Sequence, residues 1–154
     1  MNAQRKRIGS VLIALVMGTI FAGVFGSPAS AATLYYKVGT HVTKATVFAS
    51  PSKLRCFAPS GHGATMCVRY DKRVIYVRSD AKNGYFKLGQ VSAASRIYRC
   101  QNNYKKSSGQ NTWVACQWNW PKPKGRCYVP RTGHGTGTAK SAGWVFRLVE
   151  APGV

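Results

Sequence analysis

The chain has 154 residues, with 23 Lys and Arg set against three Asp and Glu, a formal charge of +20. Three carboxylates are too few for chemistry built on acid clusters, and a charge this one-sided points to anionic partners. Five cysteines and three histidines complete a thin inventory of reactive groups.

The N-terminus reads as an export signal. Arg5, Lys6 and Arg7 precede an apolar run from Ile8 to Phe25, and Ala29, Ser30 and Ala31 form a small-residue cleavage site. Residues 1–31 are assigned to a cleaved signal peptide whose style resembles that of high-GC Gram-positive bacteria; no membrane span follows it. Cleavage leaves 123 residues and a charge of +17, the size of one domain. Basic residues recur from Lys37 to Arg147 between apolar and aromatic ones, as in a folded cationic protein rather than a disordered arm.

Residues 32–50 hold Tyr35, Tyr36, Val38, Val42, Val47 and Phe48 among Thr, Lys and Gly, which predicts one or two strands. The segment either belongs to the domain's own sheet or is donated to the sheet edge of a partner. Residues 51–154 form the β-rich domain. A hairpin is expected from Leu54 to Tyr70 and a strand from Arg73 to Arg78, and Asn83-Gly84 turns the chain so that Tyr85–Val91 pairs back. Gln90–Ser95 reads as a connection between halves. Strands follow at Ile97–Cys100, Thr112–Trp120 and Arg126–Val129, then a glycine-rich loop, Thr132–Gly143, and a last strand, Trp144–Val149. Short strands between turn clusters, with no sustained helical period, predict an all-β, disulfide-stabilised barrel or sandwich.

A phrase occurs twice: Arg55-Cys56-Phe57-Ala58-Pro59-Ser60-Gly61-His62-Gly63 and Arg126-Cys127-Tyr128-Val129-Pro130-Arg131-Thr132-Gly133-His134-Gly135. It suggests two duplicated β units, 51–91 and 121–151, against the alternative of reused turn vocabulary. Asn83-Gly84-Tyr85-Phe86 and Gly143-Trp144-Val145 resemble the glycine and aromatic strand endings of bacterial SH3-type domains, a resemblance that carries no ligand site.

After export, cysteines pair by default; no Cys-x-x-Cys or His-x-x-x-His spacing argues for metal, and no cofactor is expected. Cys56 and Cys67 flank a turn-rich tip and pair across a hairpin. A hairpin of 96–104 with 112–120 pairs Cys100 with Cys116 and sets Tyr98 opposite Trp118 and Arg96 opposite Trp120. Cys127 is then unpaired or intermolecular; the rival pairing, Cys116 with Cys127, would orphan Cys100.

Asp71 beside Lys72 and Arg73, and Asp80 opening a turn, read as ion pairing and capping rather than as catalytic acids. No nucleophile elbow surrounds any serine. His62 and His134 sit in equivalent glycine-flanked turns, where solvent exposure is the simpler account. With His41 and the many cations they nevertheless permit one enzymatic alternative, a small secreted ribonuclease. The leading expectation is a non-enzymatic binding protein whose surface is Trp118, Trp120, Lys122, Lys124, Arg126, Tyr128 and Arg131, taking an acidic protein partner or an anionic cell-wall polymer, with nucleic acid less favoured. Its alternative has Trp118 in the core and the lysines merely solvating a turn.

In export signal, size and paired cysteines, the chain resembles small exported actinobacterial proteins, among them the adaptor subunits of umbrella-type antibacterial toxin particles. That resemblance implies an adaptor or subunit of a secreted assembly. A stand-alone antimicrobial protein acting on anionic envelopes is the alternative role.

Overall fold

A computed structural model describes residues 32–81, 83–104, 111–121, 128–136 and 145–150. The strands are β1 (Thr33–Val38), β2 (Thr40–Val42), β3 (Arg55–Phe57), β4 (Ala64–Arg69), β5 (Val74–Ser79), β6 (Phe86–Ala93), β7 (Arg96–Asn102), β8 (Thr112–Gln117), β9 (Val129–Thr136) and β10 (Val145–Glu150). A single helical turn, α1 (Lys44–Val47), follows β2. Two five-stranded sheets, ordered β1-β7-β6-β9-β10 and β2-β8-β5-β4-β3, face each other as a sandwich.

Period-two alternation builds the layer between the sheets. Met66 and Val68 on β4, Ile75 and Val77 on β5, and Val114 and Cys116 on β8 meet Val91 and Ala93 on β6 and Tyr98 and Cys100 on β7. The outer face of the second sheet holds Cys67, Val74, Tyr76 and Trp113, which Val47 of α1 and Leu54 cover. α1 is capped by Thr43, whose hydroxyl accepts from the Thr46 backbone N–H.

Both expected disulfides form. Cys56–Cys67 ties the directly opposed residues of β3 and β4. Cys100–Cys116 forms for a reason other than the expected hairpin, because β7 and β8 lie in different sheets. Its Cα atoms are 5.7 Å apart across the sandwich, and both residues are buried. β8 pairs instead with β5 and β2, and β7 with β6 and β1. Cys127 lies outside the described residues.

Three further expectations are corrected. Asn83-Gly84 does not fold β6 back onto β5; the chain crosses there to the opposite sheet, with Gly84 at φ +74°. The tight hairpin sits one strand later, where β6 and β7 turn at Ala94 and Ser95, both at positive φ. A left-handed pair with neither Gly nor Asn carries no ordinary turn signal, so Gln90–Ala93 reads as loop and folds as strand. Thr132–Thr136 is likewise strand rather than loop. Its glycines serve close approach: a Cβ on Gly133 would lie 1.8 Å from the Arg147 carbonyl oxygen.

The repeated phrase does not build the same unit twice. Pro59–Gly63 is a loop leaving edge strand β3, whereas Pro130–Gly135 lies inside β9, between β6 and β10.

The N-terminal segment pairs within its own chain. β1 runs parallel to β7, Gly39 passes over the inter-sheet disulfide, and β2 continues along β8, so one extended strap covers the same edge of both sheets. A side chain on Gly39 would strike Val114 and the Cys100 sulfur. Its amide donates to the Gln101 carbonyl (2.8 Å), and the Lys37 amine donates to the Gln117 carbonyl (2.6 Å).

Candidate functional site

The two ends of the sandwich differ in chemistry. One end is aromatic. Tyr98 packs edge-on against Trp118 at 5.5 Å and stacks on Tyr35 at 5.1 Å, and Tyr70 stacks on Tyr128 at 4.7 Å. Burial pushes the Tyr70 hydroxyl up to about 12. Trp120 is fully buried and Trp118 is 8% exposed. The expected binding surface is corrected accordingly, since both tryptophans belong to the core and cannot grip a ligand with flat faces. Lys37 covers the ring of Trp118 from outside, 4.6 Å from its centroid. Tyr128 is half-buried, and Arg131 is exposed and engaged with Glu150 at 3.0 Å. Lys122, Lys124 and Arg126 lie outside the described residues.

The other end is polar and cationic. Strand register aligns Asn102 of β7 with Lys87 of β6, Lys87 with His134 of β9, and His134 with Arg147 of β10. Directly opposed residues on one face stand about 5 Å apart, so two cations flank one histidine. This is the face whose other members, Val91 and Ala93, meet the opposite sheet. Lys87 is fully buried, yet its Nζ donates to Asn83 Oδ1 at 2.6 Å. Asn83 Oδ1 also accepts from the Tyr85 backbone N–H at 3.3 Å, which fixes the turn after Asp80.

From the opposite sheet the β3–β4 loop brings His62 onto this row. Gly61 and Gly63 take positive φ, and the Gly63 carbonyl accepts from the Asp80 amide at 2.8 Å, anchoring the loop to the end of β5. The rings of His62 and His134 are 5.1 Å apart, and Tyr85 lies 5.0 Å from His134 on another side. The expectation of two exposed, equivalent turn histidines is therefore corrected: both are half-buried, one on a loop and one on a strand, and they touch.

No family model, curated protein or solved structure matches the chain. Function has to be argued from the site.

Gly61, Asn83, Tyr85, His134 and Arg147 line a cleft of about 450 Å³. Burial holds the His134 imidazole below its ordinary pKa, and His62, Lys87 and Arg147 push it further the same way, while a hydrogen bond with the His62 backbone opposes them. Burial also lowers the Lys87 ammonium, with Asp80 acting against it. Asp80 is shared with other groups, accepting from Arg78 and from the Thr65 hydroxyl. The Nδ1 atoms of both histidines are buried without a hydrogen-bond partner, as is the Ser79 hydroxyl at the same end. The Tyr70 hydroxyl and the Trp118 and Trp120 indole nitrogens at the aromatic end are unmatched in the same way. Among the described residues no three His, Cys, Asp or Glu come together as a metal would require.

Composition alone did not single out Lys87, Tyr85 or Arg147. The available signal was Lys87 at an inward position of the run Phe86-Lys87-Leu88-Gly89-Gln90-Val91, recognisable only once the paired face is known.

Two disulfides are compatible with an oxidising, extracellular setting. No helix among the described residues is long and apolar enough to cross a membrane.

Proposed function

We propose that this is an exported cationic protein that binds a phosphodiester-linked polyanion in the cleft at the His62/His134 end of the sandwich. The alignment of Lys87, His134 and Arg147 across three strands, with His62 laid over it, carries the reading. The cleft is lined by the Arg147 guanidinium and has an aromatic rim at Tyr85, with Lys87 buried behind His134, which suits phosphate oxygens with an attached ring or sugar. The overall charge of +17 would draw such polymers in, and the cleft would hold them.

The test is fluorescence anisotropy with a labelled single-stranded oligodeoxynucleotide across a salt series. Arg147→Gln should weaken binding about tenfold and reduce the slope of log affinity against log salt by ~0.7, one phosphate contact on a single strand. Arg131→Gln, on the other face of β9, should do much less. Equal effects of the two substitutions would reduce the interaction to bulk charge and sink the proposal.

A second reading concerns assembly. β1 stands at the edge of its sheet with Leu34 and Val38 exposed on one face and Tyr35 part-exposed on the other, an edge suited to a partner's strand. In this reading the protein is also an adaptor in a secreted assembly, as its resemblance to umbrella-type subunits implies. A stoichiometric partner co-purified from culture supernatant and lost in Leu34→Asp/Val38→Asp supports it; a monodisperse protein, or a partner indifferent to both changes, removes it.

A further inference from the structure

We infer that the cleft cleaves RNA, with His134 as general base and His62 as general acid in an internal transesterification. This deepens the binding proposal and rests on it, since the phosphate must first be held in the cleft that Arg147 lines.

Three observations meet here. First, two imidazoles from opposite sheets are brought into contact, 5.1 Å between centroids; His134 lines the cleft, and His62 follows Gly61, which lines it too. Acid-base cleavage of a phosphodiester needs two proton-transfer groups within reach of one phosphorus. Second, the environment on balance disfavours protonation of one of the pair, although a hydrogen bond with the His62 backbone acts the other way. His134 is flanked by Lys87 on β6 and Arg147 on β10 and faced by His62 from the β3–β4 loop; burial and these three neighbours all oppose its protonation. Tyr85 and Asn83 complete its surroundings as uncharged groups, and Asp80 lies nearer Lys87. Third, Arg147 lines the cleft beside His134, so its guanidinium can meet the charge that grows on the non-bridging oxygens as the phosphorus becomes five-coordinate, the interaction that contributes most in such reactions.

The step balances within the substrate. The ribose 2′-oxygen attacks the adjacent phosphorus while its proton passes to His134. The bond from phosphorus to the 5′-oxygen breaks, and that oxygen takes a proton from His62. The products are a 2′,3′-cyclic phosphate and a free 5′-hydroxyl, with no oxidant, reductant or added water consumed. DNA, which lacks the 2′-hydroxyl, should bind and remain intact. Tyr85, exposed beside His134, offers its ring face to the base next to the reacting phosphate.

The experiment incubates the disulfide-bonded secreted protein with a labelled oligoribonucleotide in EDTA, with end-group analysis by mass spectrometry and anisotropy on the matching oligodeoxynucleotide. Expected are cyclic-phosphate ends, a bell-shaped dependence of rate on pH, and a loss of 100-fold or more in His62→Ala and in His134→Ala. Should either variant fail to fold, the product ends and pH profile of the parent protein carry the test. Intact RNA with retained DNA binding overturns the catalytic assignment alone; absent binding overturns the underlying proposal as well. Products bearing 5′-phosphates, or activity undiminished in both folded histidine variants, also overturn it.

Discussion

Removing each disulfide as an alanine pair separates loop entropy from inter-sheet packing. Cys56–Cys67 and Cys100–Cys116 close loops of 11 and 16 residues. Chain entropy assigns them about 2.8 and about 3.1 kcal/mol, a difference of only ~0.3 kcal/mol. Their surroundings differ far more. Cys56 is exposed on edge strand β3, whereas both Cys100 and Cys116 are buried between the sheets beneath Gly39. Taking two sulfur atoms from that closed layer leaves a cavity costing a further ~1–2 kcal/mol. Cys100→Ala/Cys116→Ala should therefore lose roughly 4–5 kcal/mol and Cys56→Ala/Cys67→Ala about 3 kcal/mol. Urea unfolding followed by tryptophan fluorescence measures both, since Trp118 and Trp120 are buried. In the inter-sheet variant the Gly39 amide should also exchange faster. Equal losses, or a larger loss at the edge pair, would refute the view that the second bridge holds the sheets and their strap together.

Stability should fall as pH drops below about 6.5. The His134 pKa is depressed in the folded chain, so its contribution is complete above the unfolded value of ~6.5 and is lost as pH drops through the folded value. His134→Gln should flatten this window, and an unchanged slope in urea titrations would contradict it. The Asp71 carboxyl, held low by Arg69, acts in a separate window below about pH 4. Lys87→Met should raise stability by about 1 kcal/mol, because a buried ammonium is replaced by an apolar chain of similar length; a net loss of stability would show that its bond to Asn83 outweighs burial. Gly133→Ala forces a Cβ onto the Arg147 carbonyl and should cost about 3 kcal/mol, loosening the β9–β10 pairing on which the site depends; thermal unfolding close to that of the parent would argue against so tight a contact.

The class of fold was legible because alternation in Val74–Ser79 and the turn around Pro59–Gly63 are local signals. Strand partners were not. Thr112–Gln117 contains the right alternation to pair with Arg96–Asn102, and only the competition from β5 and β2 decides that it does not. The same limit hid the site. His62 and His134 were visible as residues, but their glycine neighbours suggested exposure. Contact between them depends on which sheet each phrase joins, a long-range choice that no window of sequence contains. Trp118 and Trp120 misled in the opposite direction, since their basic neighbours suggested a surface that their burial contradicts.

The strap formed by β1, Gly39 and β2 has a consequence for the order in which the chain assembles. It precedes its partners in sequence and finds its partner backbone only in residues 96–101 and 113–115. Synthesised before them, it can dock only after β7 and β8 have been made and brought side by side. Until then its backbone, with Leu34 and Val38 on one face, is available to any other sheet edge. The segment that seals the finished molecule is thus the one with the longest opportunity to join a different one.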